Sequence, residues 1–443
     1  MKKYDSYKDS GVEWVNQIPF HWSSIQIKNT VKYPPSDFID GDWIESNVIQ
    51  QDGIRYLTTG NIGATKYKEQ GNGYISEETF KQLNCTEVYP GDLLISRLNE
   101  PIGRTCLTPK LDSKIVVAVD IVIYRPIELL YDRKYIMYQM NSSAYTENAN
   151  FIARGSTMHR ISRTTLGSIK LCIPPIEEQK SISSYLDKKC ADIDKVIATQ
   201  QRRIELLQEL KQSTITHAVT HGLNPNVKMK DSGVEWIGEV PEHWEVMKSS
   251  LMSSLIGSGT TPNTNNKDYY CENEEEGYNW LQTGDLNNGL IISTLKKVTL
   301  KAVKECNLKF YTTGSIVIAM YGATIGKVGI LGFNTAVNQA CCVLSKTDKI
   351  VSKFVFYLFL SAKESLLISA IGGGQPNISQ DVIKKLKVVV PPLSEQQSIA
   401  TYLDKKCAEL DASISKAQRE IDLLQEYKQA LITEVVTGKR KVC

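Results

Sequence analysis

Along most of the chain, apolar residues come in short β-rich runs separated by Gly, Pro, Asn and Thr clusters. The runs 92–96, 115–124, 315–320 and 340–344 predict strands, and 134–140 and 353–360 predict short helices. Twice this texture gives way to a long stretch whose apolar positions step by three and four. From Ile399 the series Leu403, Cys407, Leu410, Ile414, Ala417, Ile421, Leu424, Lys428, Leu431 and Val435 marks a heptad seam. Lys428 is its one break, with Tyr427 as the expected substitute. Ile182, Leu186, Cys190, Ile193, Ile197, Ile204 and Leu207 draw the same seam earlier, weakened at Gln200. Helices are therefore predicted over 177–219 and 393–437, neither containing Gly or Pro, each entered through a Pro-Pro pair. Ser394 and Gln397 fit a capping box. At 1.5 Å per residue the first helix would span roughly 64 Å.

The chain is also a tandem duplication. KDSGVEW occurs at 8–14 and 230–236, each followed by a Pro-x-His-Trp: Pro19, His21 and Trp22, then Pro241, His243 and Trp244. YLTTGNI at 56–62 answers WLQTGDL at 280–286, and YPGDLLIS at 89–96 answers YTTGSIVIA at 311–319. IPPIEEQKSISSYLDKKCADID at 173–194 answers VPPLSEQQSIATYLDKKCAELD at 390–411. Between these blocks the copies diverge, as in 30–55 against 254–279 and 97–101 against 320–324. A common framework with private loops suits two recognition domains for different targets. If the two seams bury each other, the helices run antiparallel and hold the globular parts at opposite ends of a rod, related by an approximate two-fold axis. Two such readers would meet two separated half-sites of a duplex.

Composition narrows the classes. Ten cysteines are scattered without a CxxC pair, which predicts reduced, mostly buried thiols and no metal site. No stretch approaches the ~18 apolar residues of a membrane span, and the start MKKYDSYKDS lacks a signal peptide's apolar core, so a cytoplasmic chain is expected. Of the formal charge of +3, the two long helices hold 0 and −3, which leaves +6 on the globular parts.

DSGVEW with P-x-H-W, the TG turn, and PP-x-x-EQ leading into a helix with YLDKK, all present twice, resemble the specificity subunit of a Type I restriction-modification system, often called HsdS. The resemblance covers 9–437. It implies an α+β fold: two strand-rich target recognition domains joined by two long antiparallel coiled-coil helices in a pseudo-two-fold tandem repeat. The divisions are 1–175 for the first recognition domain, 176–222 for the central helix, 223–392 for the second domain, 393–437 for the C-terminal helix and 438–443 for a basic tail. The implied role is non-catalytic: reading an asymmetric bipartite sequence in double-stranded DNA while joining two adenine-N6 methyltransferase subunits and the endonuclease/translocase subunits. S-adenosylmethionine, ATP and Mg would reside on those partners, with no cofactor in this chain and no membrane contact. The residues agree, since there is no glycine-rich cofactor loop, no Asn/Asp-Pro-Pro-aromatic methylase motif and no Walker phosphate loop. The alternatives are a coiled-coil scaffold that binds proteins instead of DNA, and a fused restriction-methylation enzyme.

Candidate DNA contacts lie in the divergent polar and basic loops. In the first copy they are Arg97, Asn99 and Arg104, then Arg154, Ser156, Thr157, His159, Arg160 and Arg163. In the second they are Thr260, Thr261, Asn265 and Lys267, with Tyr321, Lys327, Gln375 and Asn377. Arginine forks match guanine edges, Asn and Gln suit adenine, and Lys, Ser and Thr hold phosphates. Asn61 and Asp285 share the TG turn, where a structural or phosphate-facing role is expected. Trp14, Trp22, Trp236 and Trp244, with His21 and His243, are read as framework packing. Asp187 and Asp404 are read as solvated helix faces or methylase-subunit contacts.

Overall fold

The computed structural model describes residues 2–34, 36–98, 101–153, 159–271, 276–369 and 377–442. Two compact units emerge: Met1–Gln201 with Arg419–Cys443, and Arg202–Gln418.

In the first unit a hairpin, Tyr7–Val12 with Val15–Pro19, precedes strand Ser23–Gln26, which pairs antiparallel with Lys170–Ile173. The central antiparallel sheet runs in the order Phe38–Asp40, Ile121–Tyr124, Leu93–Ser96, Thr105–Leu107. A smaller sheet orders Tyr74–Ile75, Ile54–Leu57 and Ile115–Val117, the last two parallel. The second unit repeats this plan. Its hairpin is Met229–Asp231 with Glu239–Pro241, and Glu245–Lys248 pairs with Lys387–Val390. The central sheet is Ile256–Ser258, Cys341–Leu344, Ile316–Ala319, Val328–Leu331 and Gly289–Ile291. Tyr278–Leu281 and Thr335–Val337 form the matching parallel pair.

Leu93–Ser96, Ile121–Tyr124, Ile316–Ala319 and Cys341–Leu344 are buried at every position, which is why they read as unbroken apolar runs instead of alternating ones. The run 115–124 is not one strand. Ile115–Val117 belongs to the parallel pair and Ile121–Tyr124 to the central sheet, with a turn closed by Ile121 N donating to Ala118 O at 2.9 Å. The short helices expected over 134–140 and 353–360 are Arg133–Met140 and Ser352–Ser361. All nine described cysteines are free, and seven are buried. No helix among the described residues is long and apolar enough to cross a membrane.

The long helices are Ile176–His221 and Leu393–Val436. Ser394 lies inside the second, so it does not cap it. The Pro392 carbonyl instead accepts the amides of Glu395 and Gln396, as that of Pro175 accepts those of Glu178 and Gln179. Asp194 meets Lys428 in the first unit and Lys211 meets Asp411 in the second, each at 2.6 Å, so the pair runs antiparallel. Lys428 thus stays on the seam, neutralised by Asp194, while Tyr427 stands in solvent and substitutes for nothing.

The shared motifs are the fastenings between helix and domain. Glu178 accepts from Trp22 Nε1 at 3.2 Å, Tyr4 Oη at 2.6 Å and His21 Nε2 at 2.8 Å. Glu395 accepts likewise from Trp244 at 3.0 Å and His243 at 2.7 Å. Trp22 and Trp244 are buried, as packing residues should be. Asp187 and Asp404 are half-exposed and also tie the helix to its domain. Asp187 takes Lys134 at 2.5 Å and Tyr138 Oη at 2.8 Å, and Asp404 takes Lys353 and Tyr357 Oη in the same way. Glu178→Ala is expected to cost about 2 kcal/mol, because it strands the Trp22 indole donor beside His21. Thermal unfolding should fall by several degrees, with Glu178→Gln losing less.

Candidate nucleic-acid interface

The framework around the divergent loops explains which candidate side chains are free to face a ligand. Asn61 is buried and wholly engaged: its Oδ1 accepts Thr58 N at 2.9 Å, and its Nδ2 donates to Lys68 O and Gln70 O at 3.0 and 2.8 Å. Asp285 does the same work, accepting Gln282 N at 2.7 Å and Leu295 N at 3.1 Å. Both close a capping box on a short 3-10 turn, so the TG turn is a brace for the segment that follows it.

Arg104 is also spent internally. Its Nε donates to Ile62 O at 2.7 Å, one terminal nitrogen donates to Thr59 O at 2.8 Å, and the other reaches Leu98 O and Pro101 O at 3.2 Å. The strands it precedes align Arg104 with Lys327, which is half-buried. One position of the framework therefore carries a structural guanidinium in one copy and an ammonium with access to solvent in the other.

Arg97, Arg160 and Arg163 converge. Arg97 Nε lies 3.2 Å from Asp40 Oδ1, and Arg163 Nε lies 3.6 Å from the other oxygen of Asp40. Asp120 Oδ1 meets Arg160 at 2.8 Å and Arg97 at 3.9 Å. Local structure enforces the cluster: Leu98 bridges Arg160, and Ile161 N donates to Arg97 O at 3.1 Å. Arg97 is buried and donates to Val119 O at 2.6 Å; burial pulls its pKa down, opposed by Asp40. Arg160 and Arg163 are half-exposed. Asp40 Oδ1, Arg97 Nε and Asp120 Oδ1 make no aligned hydrogen bond, so the carboxylates hold these heads by charge more than by directed bonds. Arg97 and Arg160, partly neutralised by the two carboxylates, line an open groove together with Phe151, Ile152 and Ser162.

The second unit has the same backbone here and none of the charge. Tyr321 bridges Asn377, and Ile378 N donates to Met320 O at 2.8 Å. Strand register and helix caps match Asp40, Arg97, Asp120, Arg160 and Arg163 with Ser258, Met320, Ala340, Asn377 and Gln380. Tyr321 and Asn377 are exposed. The loop with Thr260, Thr261 and Asn265 starts at Gly259, where a side chain has no room: a Cβ would sit 1.6 Å from Val337 O. Thr260 and Asn265 face solvent, Thr261 is half-buried, and Thr260 O accepts Trp280 Nε1 at 3.1 Å. Lys267 borders a pocket with Lys296 and Lys297, two lysines that the sequence reading passed over. His159 is exposed. Asn99, Arg154, Ser156, Thr157 and Gln375 lie outside the described residues. Asp40 and Asp120 were also passed over; the signal for them was their loss of charge at the matched positions of the second copy. Among the described residues no group of three or more His, Cys, Asp or Glu could hold a metal ion.

A family model described as the Type I restriction modification DNA specificity domain matches the chain twice, over 29–208 and 241–421. The chain belongs to this family. Both copies of the duplication are therefore DNA specificity domains, and each match runs from a globular part into a long helix. The chain is 26% identical over 398 residues to the putative type I restriction enzyme MjaX specificity subunit of Methanocaldococcus jannaschii, covering 88% of this chain and 86% of that one. It is 22% identical over 368 residues to the type I restriction enzyme EcoBI specificity subunit of Escherichia coli, covering 80% and 74%. Its fold is similar to that of a chain solved in work on complex assembly and conformational transition of the type I R-M system, with a TM-score of 0.73 at 14% identity, covering 96% and 99%. The HsdS subunit from Thermoanaerobacter tengcongensis shares the fold with a TM-score of 0.51, also at 14% identity, over 96% and 98%.

Proposed function

We propose that this specificity subunit reads an asymmetric bipartite sequence in double-stranded DNA, one half-site per specificity domain, and does no chemistry itself. The observation that carries the reading is the contrast between the copies. One framework holds three arginines over two aspartates in the first domain and only neutral side chains at the same five positions in the second. Two domains so alike in backbone and so unlike in surface chemistry would select different bases. The chain would join two adenine-N6 methyltransferase subunits, which use S-adenosylmethionine, and the endonuclease/translocase subunits, which use ATP and Mg. That assignment rests on family membership. Co-expression with the methyltransferase subunit, followed by genome-wide mapping of methylated adenine, tests it. The expected result is one motif of two unlike halves around an unspecified gap; a continuous motif, or none, would refute it.

The antiparallel helix pair would set that gap. Inserting one heptad into both helices adds about 10 Å while keeping the seam in phase. The mapped gap should widen by about three base pairs with both halves unchanged.

A further inference from the structure

In the first unit the turn 62–67 ends on the long helix. Ile62 bridges Tyr67, and Gly63 N donates to Lys66 O at 3.0 Å. Thr65, at φ 65°, takes the left-handed place that Gly or Asn fills at low cost, and its β-branched side chain makes that conformation expensive. Its amide donates to Thr105 O at 3.1 Å, which holds the tip against the central sheet. From that tip Lys66 Nζ donates to Asp194 Oδ2 at 2.5 Å, while Lys428 Nζ donates to the other oxygen at 2.6 Å. Burial opposes ionisation of Asp194, and the two ammoniums outweigh it, holding its pKa below the ordinary carboxylate value.

The second unit has two of these three charges. Asp411 lies 217 positions after Asp194, Lys211 lies 217 before Lys428, and the two meet in the same way. The segment after its TG turn, 286–295, contains no Lys or Arg. It becomes the edge strand Gly289–Ile291, parallel to Val328–Leu331. Its left-handed residue is Asn288, whose Oδ1 accepts Val328 N at 3.0 Å. Asp411 is barer, with 54% of its side chain exposed against 29% for Asp194.

An exposed ion pair adds little to stability. What Lys66 adds is a second point of attachment. Glu178 and Asp187 fasten the helix to Tyr4, His21 and Trp22 and to helix Arg133–Met140. Asp194 lies about 10 Å beyond Asp187 along the helix axis. From the turn, a continuous set of bonds leads to the arginine cluster: Arg104 donates to Ile62 O and Leu98 O, and Leu98 bridges Arg160. A turn that shifted on the helix would carry that cluster with it.

We propose that Lys66 is a positioning residue: its bond to Asp194 fixes the tilt of the first recognition domain on the long helix, and so the gap at which the first half-site is read. This rests on the bipartite reading proposed above. A shift of about 3.4 Å along the duplex is one base pair, so a small change of tilt is enough to alter the preferred gap.

The test uses the full chain assembled with its methyltransferase subunit, and duplexes carrying the mapped half-sites at the native gap or one base pair shorter or longer. Wild type should prefer the native gap. Lys66→Ala should cut that preference about threefold, Lys66→Glu, which faces Asp194 with a like charge, about tenfold, and Lys66→Arg should keep it. Equal weakening at every gap, with the salt dependence lowered by about one phosphate contact, would make Lys66 a DNA contact and overturn the proposal. An unchanged gap preference in both Lys66→Ala and Lys66→Glu would overturn it as well. A wild-type complex that binds the mapped sequence no better than other DNA would instead refute the bipartite reading on which the proposal rests.

Discussion

Arg104→Met is expected to destabilise the first unit by about 3 kcal/mol while leaving the second untouched. The guanidinium ties Ile62, Thr59, Leu98 and Pro101 together through their carbonyls, and methionine fills its volume without supplying a donor. Those carbonyls belong to the TG turn and to the segment leading out of strand Leu93–Ser96, so one substitution loosens two of the loops that would face DNA. Urea unfolding followed separately in each unit should show the first transition shifted to lower denaturant and the second unchanged. Lys327→Met, at the matched position, should leave stability within about 0.5 kcal/mol, as is usual for substitutions outside the core. It should instead reduce the salt dependence of DNA binding by about one phosphate contact. If Arg104→Met were as stable as wild type but could not bind DNA, the guanidinium would be a base contact after all.

The second large effect concerns specificity. Transplanting the neutral set into the first unit, as Asp40→Ser, Arg97→Met, Asp120→Ala, Arg160→Asn and Arg163→Gln, should rewrite one or two positions of the first half-site and none of the second. A bidentate arginine-guanine pair discriminates by about 1–3 kcal/mol, so preference at those positions should change roughly tenfold to a hundredfold in mapped methylation. The five changes belong together. Removing Asp40 alone would leave the buried Arg97 charge without its nearest counter-charge, and a folding defect would then mask any change in reading. Asp120→Ala alone should weaken the first half-site without altering its sequence, because Arg160 is released but still present. An unchanged motif in the five-fold variant would remove this cluster from the recognition surface.

The helices were legible because their seam must keep one period over forty residues, and the duplication because its blocks are identical and colinear. What stayed hidden was decided by contacts made far along the chain. The run 115–124 looks like one strand since both halves are buried; only its division between two sheets, one of them parallel, splits it. Lys428 reads as a flaw in the seam until Asp194 is brought beside it. Arginine's identity does not disclose where its head goes. Arg104 folds back onto four carbonyls, Arg97 is held inside by Asp40 and Val119, and Arg160 reaches half into solvent, though all three read alike as basic loop residues. Asn61 and Asp285 were recognisable as a shared turn, yet the bonds that spend their side chains depend on the later segments that they brace.

The first unit has a consequence for how the molecule is made. Its last pieces come from the far end of the chain: Gln139 Nε2 and Tyr135 Oη donate to Val436 O at 3.0 and 3.3 Å, Gln429 Nε2 donates to Asn141 O at 2.7 Å, and Ser143 N donates to Thr433 Oγ1 at 3.0 Å. The second unit is contiguous, Arg202–Gln418. A growing chain therefore completes its second domain first, and the domain synthesised earliest waits for its bonds to Gln429, Thr433 and Val436 until the last turns of the second long helix leave the ribosome. A message cut short after Gln418 would yield a protein whose damage appears at its beginning.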